Sequence, residues 1–171
     1  MSQKSDVDKV FFELMGYYPP KAGQAMEIIS NAILSIITEK KAQHNKFIEG
    51  FSEVKHQIDG IIGSSTMLEC KDYTVAKNKV GLGEVEQMEG ALTDLPQFNE
   101  GYFASATPFT KDAMKYAEAT EKNPLHKPII PVEIRPSTPD DELNRIKVIH
   151  INLNAWLLNP QKSTISYIMS P

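Results

Sequence analysis

The sequence predicts an α/β fold, a mixed central β-sheet flanked by helices on both faces, in the order helix, three strands, helix, strand, helix, then further strands. Three observations carry this expectation. Ala22, Ala25, Met26, Ile29, Ala32, Ile33, Ile36 and Ile37 recur at three- and four-residue spacing, an apolar stripe that defines a helix over about 21–40. Between about 46 and 72 the pattern changes to short runs of β-branched and apolar residues, KFIEGF, VKHQIDGII and TMLECKD. Helical and strand patterns then alternate, which requires crossovers as well as hairpins and hence a mixed sheet.

Each element has a local reason. Residues 1–20 end in Tyr17-Tyr18-Pro19-Pro20, which stops any preceding helix because the residue before a proline is pushed out of the α region. They are read as a peripheral N-terminal element. Gly63-Ser64-Ser65 separates the second and third runs and signals a hairpin. The stretch from Tyr73 to Leu82, with Lys77, Asn78, Lys79 and Gly81, reads as a polar loop. A helix over about 84–95 follows, with Val85, Met88, Leu92 and Leu95 inward and Glu84 near the positive end of its dipole. GYFASAT reads as a buried strand, and Thr110 caps a third helix, KDAMKYAEAT, with Ala113, Met114 and Ala117 on its inner face. KPIIPVEI and RIKVIHINL read as strands joined by RPSTPDDELN, while the final NPQKSTISYIMSP carries no clear period. The expected division is 1–20 as the peripheral element, 21–153 as the main domain and 154–171 as a C-terminal tail.

With 171 residues the chain suits one domain. Its 41% hydrophobic and 23% charged residues exclude the disordered and fibrous classes. The single Cys70 allows no internal disulfide, and no Cys/His cluster has zinc-ligand spacing, which fits a reducing cytoplasm. MSQKSDVDKVFFELMG has scattered charges and a short apolar run, so neither a signal peptide nor a membrane span is expected, and no membrane partner. A net charge of −4 weighs against binding nucleic acid by bulk attraction. Carboxylates clustered around a divalent cation would themselves lower that charge, and a few local lysines suffice to receive phosphates.

The chemistry-bearing residues lie on the expected hairpin. Side chains alternate along a strand, so Glu69 and Lys71 project from one face and Leu68, Cys70 and Asp72 from the other. If the turn uses the three residues Gly63 to Ser65, Asp59 falls opposite Glu69 and the two carboxylates share a side of the sheet. A two- or four-residue turn would separate them. Two carboxylates so placed repel unless a cation lies between them, and hard oxygen ligands suit Mg²⁺ or Mn²⁺. Lys71 beside such a site supplies a fixed positive charge, or orients or deprotonates a water, for phosphodiester hydrolysis. By itself, a Glu-x-Lys strand is more often a solvated edge.

Asp59, the following Glu69-Cys70-Lys71 and the downstream VGLGEVEQMEGAL resemble the PD-(D/E)xK nuclease core of Mrr-like restriction endonucleases. GYFASATPFTKDAMKYAEA is similar to the next strand, loop and helix of that family, and the resemblance covers roughly residues 21–120. It implies a restriction-endonuclease-like core in which Asp59 and Glu69 ligate Mg²⁺ or Mn²⁺, the Cys70 carbonyl adds a ligand, and Lys71 is the catalytic lysine. It further matches Glu27, in AMEII, to an acidic position near the site, and Gln87 to a glutamine that holds substrate or lysine. The plainer readings of both are solvent-facing helix residues.

The resemblance implies a metal-dependent DNA endonuclease in restriction, defence or DNA processing. The alternatives are a structure-selective nuclease, such as a Holliday-junction resolvase or repair exonuclease, and a non-catalytic binding module that retains the fold. Lys55, His56, Lys77 and Lys79 flank the site in sequence and are candidate phosphate contacts. The approach SEVKHQIDG departs from the glycine-rich pattern common in the family, and no winged-helix-sized recognition segment is apparent. Expected partners are therefore DNA, a second copy of the chain, and a separate specificity subunit or domain.

Overall fold

The computed structural model describes residues 2–139, 148–151 and 167–170. Helices α1 (Asp6–Met15) and α2 (Gln24–Thr38) are followed by strands β1 (Ala42–Glu49), β2 (Lys55–Ile62) and β3 (Thr66–Lys71). Then come α3 (Leu82–Asp94), β4 (Glu100–Ser105), α4 (Lys111–Lys122) and β5 (Ile129–Glu133). Strands β1 to β5 form one sheet in that order, antiparallel from β1 to β3 and parallel from β3 to β5. The parallel steps are made by α3 and α4, as a parallel pair requires a crossover. A separate antiparallel pair joins β6 (Val148–Ile151) to β7 (Tyr167–Ser170). β6 lies within the predicted strand RIKVIHINL and β7 within the tail that showed no period; most of RPSTPDDELN and of the tail lies outside the described residues.

The sheet separates two apolar cores. On one face, Val7 and Phe11 of α1 and Met26, Ile29 and Leu34 of α2 pack with Ile62, Leu68, Cys70 and Ala104. On the other, Val85, Met88 and Leu92 of α3 and Ala113 and Ala117 of α4 pack with Met67, Phe103 and Ile129. Helices therefore cover both faces, as the patterning predicted. The first twenty residues do more than decorate the surface. Ser5 and Asp8 close a capping box at the start of α1, and Gly16, at φ 79°, ends it in the left-handed conformation. Val7 and Phe11 are almost fully buried, each contributing about 1.5–3 kcal/mol of apolar burial, a sizeable share of a domain's net stability.

The β2–β3 turn uses Gly63, Ser64 and Ser65, since Ile62 pairs with Thr66 and Gly60 with Leu68. Gly63 adopts φ 68°, which costs a residue without Cβ little. Thr110 caps α4 as expected, accepting from the Ala113 amide.

Candidate active site

Beyond Gly60 and Leu68 the central hairpin forks. β2 continues to Lys55 on β1, while β3 continues to Lys71 on β4, and the recorded β2–β3 pairing stops at Gly60 and Leu68. Asp59 and Glu69 are the next facing pair, in the register that a three-residue turn dictates. Instead of a strand carbonyl, the Asp59 carboxylate takes the Cys70 amide, with Oδ2 accepting at 2.7 Å. A residue in a strand directs its N–H and C=O to the same side. The Cys70 carbonyl therefore points into the opening of the fork, while Lys71 directs its carbonyl to the Ala106 amide.

The face pattern of β2 also breaks here. Gly60 abuts Asn31 of α2 and Ile62 packs in the α1/α2 core, yet Ile58 belongs to the α3/α4 core. Strict alternation is lost at Asp59, across from Asn45, whose φ of 45° interrupts the ladder between the His44–Gly60 and Lys46–Ile58 pairs. Sequence periodicity could not show this switch.

The fork opens into a cleft of about 480 Å³ lined by Glu27, Asp59, Glu69, Cys70 and Lys71, together with Ala22, Gly23, Gln57 and Asp72. Lys71 Nζ lies 3.0 Å from Glu69 Oε1. Burial, then the charges of Asp59 and Glu69, push the Glu27 carboxyl up to about 7, against the opposing pull of Lys21 and Lys71. Burial also raises Asp59, partly offset by the Cys70 amide and the Lys71 charge. Glu69 is raised by burial and then by Asp59. For Lys71, burial disfavours the charge, but Glu69 and its neighbours outweigh that and hold the ammonium above its usual range. The Cys70 thiol is buried and pushed well up by desolvation, so it is a poor nucleophile.

Glu27 thus joins the expected triplet in the cleft. Gln87 does not line it; it is exposed on α3. Lys55, Lys77 and Lys79 are exposed and also lie outside the cleft lining. His56 points elsewhere, with Nε2 2.7 Å from Asp94 Oδ2 at the end of α3. Asp94 additionally accepts from the Ser52 amide and hydroxyl, tying the β1–β2 turn to α3.

Gln57 and Asp72 were not singled out as site residues in the sequence, although each directly follows a residue that was, His56 and Lys71. Gln57 donates to Asn45 Oδ1, and Asp72 accepts from the Thr74 amide in an Asx turn. Asn31, one helical turn after Glu27, is fully buried; its Nδ2 donates to the Glu27 carbonyl at 2.9 Å and to the Asp59 carbonyl at 3.1 Å. It lies opposite the apolar stripe of α2, where periodicity alone predicts a solvent-facing residue.

Residues 41–127, more than half of the chain, match the restriction endonuclease family Mrr_cat, and the matched span holds Asp59, Glu69 and Lys71. The chain belongs to that family. The mixed sheet with helices on both faces is consistent with a restriction-endonuclease-like fold, and the Mrr_cat match supports a nuclease of restriction-endonuclease type. The fold is also similar to the crystal structure of a protein of unknown function, AF1548, at 19% identity and a TM-score of 0.50, over 63% of this chain and 58% of that one. The chain thus spans little more than half the length of that solved protein. No curated protein matches the chain. Among the described residues no helix is long and apolar enough to cross a membrane. Glu27 and Asn31 precede the Mrr_cat span, so the contribution of α2 to the cleft comes from outside it.

Proposed function

We propose that this Mrr_cat protein is a metal-dependent DNA endonuclease whose active site is Asp59, Glu69 and Lys71 at the fork between β2 and β3. The observation that carries the reading is the convergence on one cleft of three carboxylates with raised proton affinity, beside a charged lysine. The donor chemistry fits Mg²⁺ or Mn²⁺. Asp59, Glu69 and the Cys70 carbonyl offer hard oxygens only. Among the described residues no group of three His, Cys, Asp or Glu side chains forms a ready cage. Mg²⁺ commonly uses one or two carboxylates and fills its remaining positions with water and substrate phosphate.

A divalent cation held there would polarise a phosphoryl oxygen and acidify a bound water. The remaining chemistry belongs to the chain. Lys71, fully protonated and oriented by Glu69, offsets the charge that builds on the phosphoryl oxygens. Glu27, with a carboxyl near neutrality, is suited to take a proton from the attacking water. Gly23 caps α2 without a side-chain hydrogen bond and borders the cleft, so the positive end of that helix faces the region a phosphate would enter. The buried single thiol of Cys70 suits a cytoplasmic setting. Lys55, Lys77 and Lys79 remain candidates for backbone contacts outside the cleft, and the acidic balance favours target selection by a separate subunit or domain.

The test is cleavage of plasmid and linear DNA by purified protein with Mg²⁺ or Mn²⁺. Lys71→Ala and Asp59→Ala should remove cutting while circular dichroism shows a folded chain. Cutting by well-folded Asp59→Ala at the wild-type rate would overturn the assignment.

A further inference from the structure

Asn31 holds two parts of the cleft in register without lining the cleft itself. One amide nitrogen bonds both the Glu27 carbonyl, on its own helix, and the Asp59 carbonyl, on β2. These are the backbone groups of two of the four carboxylate residues that line the cleft. Asp59 lies where β2 has left β3 and where the β1 ladder is interrupted at Asn45, so neighbouring strands constrain its backbone less than elsewhere in the sheet.

The fit is tight on the other side of the amide. A Cβ at position 60 would come within 2.2 Å of Asn31 Oδ1, so glycine is needed there while the Asn31 side chain fills that space. Oδ1 is buried without a hydrogen-bond partner, an unfavourable placement for a polar atom. An apolar residue would cover Gly60 without that cost. What asparagine alone adds is the two-way donor.

We infer that Asn31 is a positioning residue for the metal site, fixing the distance between Glu27 and Asp59 by clamping α2 to β2 through Gly60. This rests on the reading of Asp59, Glu69 and Glu27 as that site. Removing the donor frees the Asp59 backbone and lets the two carboxylates drift apart. Groups that orient ligands from behind typically change metal affinity by about 10- to 100-fold when lost.

The test compares Asn31→Ala, Gly60→Ala and the double variant Asn31→Ala/Gly60→Ala, with Asn31→Leu as a variant that keeps the volume and loses the donors. Melting is followed by circular dichroism, Mn²⁺ binding by calorimetry, and cleavage by kcat and KM for DNA. Gly60→Ala alone should melt well below wild type because its methyl meets Asn31. The double variant should recover much of that loss, since the methyl occupies the space the amide leaves. Its Mn²⁺ affinity, like that of Asn31→Leu, should stay about 10- to 100-fold below wild type, with kcat reduced and KM for DNA nearly unchanged. A merely structural role would restore Mn²⁺ binding together with stability. Wild-type Mn²⁺ affinity in either the double variant or Asn31→Leu would overturn the inference and leave the site assignment standing. Failure of wild-type protein to bind Mn²⁺ would remove both.

Discussion

Three residues apart on β2, His56 and Asp59 lead to two acidic groupings of opposite character. Asp94, beside His56, accepts from the Ser52 hydroxyl, the His56 ring and the Ser52 amide, which together draw its carboxyl below the usual range. Asp59 and its neighbours Glu27 and Glu69 share a partly buried cleft, and burial, the largest cause for each, pushes all three up despite the Cys70 amide on Asp59 and Lys71 beside Glu69. On the proposed function, the contrast separates structural from chemical acid groups. A carboxylate whose lone pairs are filled by the protein ties elements together, whereas a group left under-compensated in a cleft is poised for a cation that the fold does not supply.

The largest effect expected from this contrast comes from Asp59→Asn. Cleavage should fall by on the order of 10³-fold, while the metal-free protein should melt higher at alkaline pH because one buried charge has gone. A drop in both would place Asp59 with Asp94, as a structural acid.

Glu27→Gln should reduce kcat by about 10²-fold, the usual contribution of a positioned proton acceptor. The rise of rate with pH near neutrality should flatten. An unchanged pH–rate profile would show that Glu27 takes no proton.

Next in size is the pH dependence of metal-free stability. The folded carboxyl of Glu27 titrates at about 7, above its ordinary 4.5, and Asp59 and Glu69 are also raised. The native state therefore holds more protons than the unfolded chain in that window. Stability is fully present below the unfolded value and is lost as pH rises through the folded one. The metal-free melting temperature should fall from about pH 5 to about pH 8, and saturating Mn²⁺ should remove most of the slope. A flat metal-free profile would argue that the three groups are not strained.

Asp94→Asn should have the smallest effect: a melting temperature a few degrees lower, from a loosened β1–β2 turn, with Mn²⁺ affinity and kcat unchanged. Loss of cleavage in that variant would mean that the turn and the fork are mechanically coupled.

Much of this layout was legible before the fold. The stripe of α2 reported a buried helix face, and Gly63-Ser64-Ser65 set a turn whose odd length puts Asp59 across from Glu69. Glu27 was legible only through the family resemblance, since its helical position reads equally as solvent-facing. His56 looked like a phosphate contact because its partner, Asp94, is 38 residues away, and only the tertiary fold brings them together. The N-terminal segment looked peripheral because prolines mark where a helix stops and say nothing of what it packs on. Val7 and Phe11 found their partners in α2 and the sheet.

By itself, then, the sequence determined the residue types that can bind a hard cation and the helices that cover the sheet, because local periodicity acts over a few residues, while the hairpin register stayed conditional on the turn length that the fold supplied. The tertiary structure alone decided that β2 and β3 part at Asp59 and Glu69. It also decided that β2 switches faces beside Asn45 and that Asn31 reaches from α2 onto Gly60 to hold the Asp59 carbonyl. These depend on close approaches between segments distant in the chain, where steric fit and unmet hydrogen bonds, rather than local propensity, set the geometry.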